Sequence, residues 1–347
     1  MNKIFLGLLI FVPIAALVNF FGASPVLIFF SSALAIVPLA KYIGESTEEL
    51  SVYTGPALGG LLNATFGNAT ELIIGIMAIK AGLLEVVKAS ITGSIIGNLL
   101  LVLGMAMFFG GIKNKKQEFN KTAVLASAST LLLAVIALVI PAIFYNTGGS
   151  SSGIIEELSI FVSVFMIFIY VAQLLFSLKT HKHLYVEEVG EQEAKWSKKK
   201  SLLILFIATI FVAWMSDILV GSIEPLVIKL GWTELFVGVI FIAIIGNAAE
   251  HTSAITMAIK NKMNLAIQVS IGSATQIALF VAPVLVLSSL FLKNQMSLVF
   301  KPFELAAIAL SVFITDLVVQ DGESNWLEGA QLIAAYAIIA VAFFFHP

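Results

Sequence analysis

Glu71, in "LLNATFGNATELIIG" (61–75), and Glu250, in "IIGNAAEHTSA" (244–254), are carboxylates inside otherwise apolar runs. A carboxylate held near the middle of a membrane helix costs about 2.5–3.5 kcal/mol on insertion scales, so its presence asks for a use. One such glutamate, alone, reads as a protonated or hydrogen-bonded structural residue. Two of them, each three residues after a Gly-Asn pair, read as parts of one cation site. Asn68 and Glu71 share a helical face at i, i+3, as do Asn247 and Glu250. Gly67 and Gly246 weaken the helix just before each asparagine and can free carbonyl oxygens. Downstream of each motif, Ser94 and Asn98 in one run, and Ser273 and Gln276 in the other, form polar faces. Interhelical hydrogen bonding explains those side chains as well as direct ligation does.

This donor set is carboxylate, amide and hydroxyl oxygen, with no cysteine in the chain. Such a cage suits a hard cation. Ca²⁺ accepts about 6–8 oxygens with tolerant geometry, whereas Mg²⁺ dehydrates reluctantly and soft metals want thiolate or several histidines. Two carboxylates in one dry site repel each other and lose hydration, so without a cation they favour keeping a proton. A site that holds either Ca²⁺ or protons is the physical core of an antiporter. His251, directly after Glu250, reads either as a packed histidine or as a titratable neighbour that tunes proton coupling. No cofactor is expected; Ca²⁺ enters only as cargo.

The elements that position these groups follow from composition. The 347 residues are 59% hydrophobic and 12% charged, with no arginine. That excludes an ordinary soluble domain and points to an all-α polytopic membrane protein. Near neutrality of charge gives no sign of nucleic-acid binding. Eleven stretches approach the ~20 residues needed to cross the hydrocarbon: 4–21, 25–43, 56–81, 86–110, 121–145, 154–178, 201–221, 233–260, 264–291, 300–320 and 326–346. The first resembles a signal peptide in outline, but its apolar run is long for one and the topology works with it retained. Counting lysines, fourteen lie on the side of the N-terminus and five on the other. The expectation is N-terminus cytoplasmic, C-terminus on the opposite face, in a cell membrane if the source is prokaryotic.

An internal repeat orders the spans. An offset of 179 residues carries "GNATE" onto "GNAAE", Gly93-Ser94 onto Gly272-Ser273, and Glu45 onto Glu224. The expected organisation is therefore an extra helix (1–24), a five-helix repeat (25–178), a cytosolic linker (179–200) and a second five-helix repeat (201–347). An odd number of spans per repeat inverts one half relative to the other, an arrangement of secondary transporters with a midplane site. Glu45 and Glu224, with Asp217, read as solvated interfacial charges or as entrance carboxylates. The linker's Glu187, Glu188, Glu191 and Glu193 read as a solvated run or as a regulatory element, without an EF-hand pattern.

"GNATELIIG", "GSIIGN", "GNAAEH" and "GSATQIALFVAP" together resemble the paired repeat signatures of Ca²⁺/H⁺ antiporters, the cation-exchanger branch of the Ca²⁺/cation antiporter superfamily. The resemblance runs from about residue 25 to the end. It implies Ca²⁺ export against protons by alternating access, with Glu71 and Glu250 as the exchanged ligands. It also implies that His251 marks the proton-coupled branch, and that a homo-oligomer, commonly a trimer, is a possible assembly. A Na⁺/Ca²⁺ or K⁺-dependent exchanger is the alternative. A passive channel would need neither coupled carboxylates nor His251. An intramembrane hydrolase would want a second histidine four residues after "EH" and no inverted repeat; the protein is not expected to be an enzyme.

Overall fold

The computed structural model describes residues 3–148, 152–184 and 194–346. They form helices almost throughout, apart from one two-stranded antiparallel pairing of Gln117–Glu118 (β1) with Glu323–Ser324 (β2). The helices are α1 (Ile4–Phe20, with a break near its start), α3 (Ala69–Ala81), α4 (Leu84–Asn114), α5 (Lys121–Asn146) and α6 (Gly153–Thr180). Between α1 and α3 lies α2 (Pro25–Phe66). The second half holds α7 (Lys198–Gly221), α8 (Ile223–Leu230), α9 (Glu234–Gly246), α10 (Ala248–Ile259), α11 (Met263–Ser289), α12 (Pro302–Val318) and α13 (Trp326–Phe345).

Each of the eleven apolar stretches lies on helix. Among the described residues seven helical segments are long and apolar enough to span a membrane, and the α9–α10 pair, bent by 61°, makes an eighth as a broken span. The remaining apolar stretches are α1, the broken run from the end of α2 into α3, and the 17-residue α12. The protein is a multi-pass membrane protein.

One boundary differs from expectation. The polar stretch after residue 43 does not end the helix, because Glu48, Glu49 and Leu50 are good helix formers and no proline intervenes before Pro56. Helix α2 runs on to Phe66 instead, and the backbone of Gly59 lies directly against Ser51, where no Cβ would fit.

Burial sorts the helices by role. In α4 and α11, 72% of the apolar window is buried inside the protein, against 33%, 22% and 17% in α5, α6 and α13. The first two are therefore central and the other three face lipid. Both central helices carry a π-helical turn, at Gly97–Val102 and Ile277–Val281, directly beside Asn98 and Gln276. Such wide turns are common at functional positions. Close approach relies on small residues, as where Gly104 of α4 meets Gly329 of α13 backbone to backbone.

Among the described residues the loop contacts gather into two sets. On one face, Glu49 accepts the Lys195 and Trp196 amides at 2.7 and 2.9 Å. There too Gln117 donates to the Ala258 carbonyl at 2.8 Å, and the Asn120 amide donates to Asn264 Oδ1 at 2.5 Å. On the other, Lys301 meets Glu85 at 3.2 Å, Asn294 donates to the Ile79 carbonyl at 2.9 Å, and Lys229 donates to Ser24 at 3.3 Å. The first is the lysine-rich face.

Candidate cation site

Both motifs break their helix at the asparagine. Asn68 sits at φ −101°, ψ 19° before α3, and Asn247 at φ −96°, ψ 16° before α10. The two breaks are the same conformation 179 residues apart. Gly246 is the last residue of α9 and Gly67 follows the end of α2, as the glycine positions suggested. Each break places its glutamate in the first turn of the next helix, where the positive end of the helix dipole favours a carboxylate.

The two breaks meet. The Glu71 carboxylate packs against Gly246, close enough that a Cβ there would touch Oε1 at 3.2 Å. Glu250 is among the charges that act on Glu71, and Glu48 among those that act on Glu250. Glu71 also lines a cavity of about 10 Å³ with Ser90, Ser94, Ile242 and Leu285. That is room for about one water-sized particle.

Around the carboxylates the amides bridge the halves. Asn68 donates to Gln276 Oε1 at 2.5 Å, Asn98 donates to Asn247 Oδ1 at 2.9 Å, and Asn247 donates to Ser94 Oγ at 2.9 Å. Each asparagine thus ties its own break to the polar face of the opposite half. Their first use is interhelical bonding. Both oxygens of Glu71, Oε2 of Glu250 and Oδ1 of Asn98 are buried with no hydrogen-bond donor among the described residues. Four unpaired acceptors beside the two breaks would be costly unless something positive sits among them, since a buried acceptor left unmade costs about 1–3 kcal/mol. Their chemistry, carboxylate and amide oxygen, is that of a hard-cation site, with Asn98 joining the expected set. No group of three or more His, Cys, Asp or Glu side chains able to hold a metal occurs among the described residues.

The other expected residues are placed as follows. His251 is half-buried in the first turn of α10, its amide bonded to the Asn247 carbonyl at 3.1 Å. Ser273 is buried on α11, one residue past Gly272, but the cross-half bonds do not include it. Glu45 pairs with Lys41 at 3.7 Å, and Asp217 and Glu224 are solvent-exposed; none of the three is among the charges that act on the central pair. Glu187, Glu188, Glu191 and Glu193 lie outside the described residues.

Two features escaped the sequence reading. Glu304 is buried at 1% exposure, accepting from Thr92 Oγ1 at 3.1 Å and from the Lys301 amide at 2.9 Å. Its signal was the Lys-Pro-x-Glu start of α12, a helix-capping pattern. The second is a partly exposed stripe along α11, Asn264, Gln268, Gly272 and Gln276. An i, i+4 repeat of polar and small residues in an apolar helix could have revealed it.

Comparison with known proteins agrees with this architecture. The sodium/calcium exchanger protein family profile matches twice, over residues 24–179 and 200–345. The Ca(2+)/H(+) antiporter of Aphanothece halophytica is 49% identical, covering 100% of this chain and 97% of that one. The Ca(2+)/H(+) antiporter ChaA of Bacillus subtilis is 47% identical over 99% of both. Among solved structures, native YfkE superposes with a TM-score of 0.87 at 44% identity, covering 99% of this chain and 100% of that one. The chain belongs to the sodium/calcium exchanger protein family, within its Ca²⁺/H⁺ antiporter branch.

Proposed function

We propose that the protein is a secondary active transporter that exports Ca²⁺ in exchange for H⁺ by alternating access, with both substrates competing for Glu71 and Glu250. The observation that carries this reading is the pair of matched glutamates at the meeting of two helix breaks, with three of their oxygens buried and unpaired. Ca²⁺ neutralises the pair by coordination and protons neutralise it by covalent attachment. A bare pair is the state that the apolar surroundings disfavour, so each substrate leaves as the other arrives. The names of the similar antiporters support the same pair of substrates.

Asn68, Asn98, Asn247, Ser94 and Gln276 hold the two breaks in register, with Asn98 Oδ1 as a further ligand. His251 lies one residue from Glu250 and tunes its proton exchange. The halves, 25–178 and 201–347, are inverted copies, a reading supported by the double family match and by the equal backbone at the two breaks. The lysine-rich face is cytoplasmic by the positive-inside rule, which puts the N-terminus inside and the C-terminus outside a cell membrane.

The test is flux in proteoliposomes. An imposed proton gradient drives Ca²⁺ uptake, and a sodium gradient of equal size does not. Uptake driven by sodium alone would replace this reading with Na⁺/Ca²⁺ exchange.

A further inference from the structure

Helix α1 packs along α2 but does not close against α7. Between them runs a groove of about 740 Å³. Val12 and Leu17 of α1 form one wall, Phe211 and Trp214 of α7 the other, and Leu39 and Tyr42 of α2 the floor. The lining is aliphatic and aromatic throughout, and the volume falls within the ~300–1,000 Å³ of small-molecule sites. Along α7 the lining reaches from Ile204 to Trp214, about 15 Å at the helical rise. That is half of the ~30 Å hydrocarbon, so the groove occupies one leaflet rather than the whole bilayer.

The leaflet is the one beside the lysine-rich face, where cations stand at the groove's mouth. Lys200 lies one turn before Ile204 on the same side of α7 and holds its ammonium 4.9 Å from the Trp196 ring. Trp196 is itself pinned to α2: its amide donates to Glu49 at 2.9 Å, and Tyr53 Oη donates to its carbonyl at 2.5 Å. On the other side, Phe5 lies one turn before Leu9 of α1, and the Lys41 ammonium sits 4.3 Å from its ring. The nearby carboxylates are engaged, Glu45 with Lys41 at 3.7 Å and Glu49 with the Lys195 and Trp196 amides. Lys198, Lys199 and Lys200 are exposed, and the ion pairs among the described residues do not include them.

We infer that this groove is a binding site for one anionic phospholipid, with an acyl chain laid between α1 and α7 and the phosphate held at Lys198–Lys200. A neutral lipid fits the groove but leaves the ammonium groups without an anion. A second copy of the chain fits them worse, because copies in one membrane share an orientation and would bring lysine-rich face against lysine-rich face. Clustered lysines at the end of a spanning helix favour anionic headgroups for the same electrostatic reason. The inference goes beyond the exchanger reading and does not depend on it.

The test reads Trp214 fluorescence in vesicles of phosphatidylcholine with a minority of phosphatidylglycerol. Bromine is placed on the acyl chains of one lipid or the other, and it quenches an indole that it touches. The part of the quenching that Trp214→Phe removes is the groove's. Phosphatidylglycerol is expected to quench as though enriched about fivefold over its mole fraction. The enrichment falls to parity in Lys198→Gln/Lys199→Gln/Lys200→Gln, and in the parent at high salt. Mass spectrometry of the parent, released intact from mixed micelles, gives a second reading without a tryptophan variant: one phosphatidylglycerol stays bound in preference to phosphatidylcholine. Equal quenching by the two lipids would make the groove ordinary boundary surface and overturn the inference. Quenching by neither would mean that a second copy or another protein covers Trp214, which overturns it too. Enrichment that survives both salt and the lysine substitutions would remove the phosphate from Lys198–Lys200.

Discussion

Glu71 and Glu250 occupy equal positions on equal backbone, yet their surroundings differ. Both Glu71 oxygens are buried and unpaired, facing a small cavity walled by Ile74, Ile242 and Leu285. Glu250 has only Oε2 so confined and feels the charge of Glu48, a solvent-exposed residue on the lysine-rich side. The repeat at offset 179 gives Glu48 no twin, since Val227 stands at its counterpart. One fold thus supplies two carboxylates with unlike neighbours: Glu48 is among the charges that act on Glu250 and not among those that act on Glu71. Symmetry sets the chemistry of the pair, and departures from symmetry set which outer charges each member feels.

The strongest way to break that comparison is to remove one charge at a time. At an effective dielectric of 20, a unit charge pair at 4 Å is worth about 4 kcal/mol. Loss of either carboxylate therefore lowers Ca²⁺ affinity by about 1,000-fold. Glu71→Gln and Glu250→Gln are both expected to abolish proton-driven Ca²⁺ uptake, with Ca²⁺ binding by isothermal titration lost in each. Uptake that survives both substitutions would remove the pair from the site.

A smaller effect separates the matched glycines. Gly93→Ala forces a methyl against the Val239 backbone, whereas Gly272→Ala meets open space. Overpacking of this kind costs about 1–3 kcal/mol. Gly93→Ala is expected to lower the midpoint of thermal unfolding in detergent, and Gly272→Ala to leave it unchanged. Equal shifts for both would mean that the two helices are packed alike.

Much of this arrangement was legible from residue order because the membrane restricts the options. All eleven apolar stretches became helix, and the breaks fell at the Gly-Asn pairs, since a glycine beside an amide is where a helix most readily yields. What was not legible depends on partners distant in sequence. Asn98 meets Asn247 across 149 residues and Asn68 meets Gln276 across 208, so nothing local could decide between ligand and bridge. The contact between Ser51 and Gly59 was hidden by helix-forming residues that carry α2 past the expected boundary. Glu304 went unread because a capping glutamate, local in pattern, gives no hint that Thr92 of the other half will bond it.

The finest test of the unlike neighbours is Glu48. Its carboxylate is exposed, so its attraction for a cation is screened by water and salt and amounts to less than about 1 kcal/mol. Glu48→Gln is therefore expected to raise the half-saturating Ca²⁺ concentration by only about two- to fivefold. The direction of the vesicle matters more than the size of the effect. The rise should appear when Ca²⁺ is offered to the lysine-rich face, shrink as ionic strength increases, and vanish when Ca²⁺ is offered to the opposite face. A rise equal from both faces would place Glu48 within the shared site itself, and the two glutamates would then not differ in the outer charge each feels.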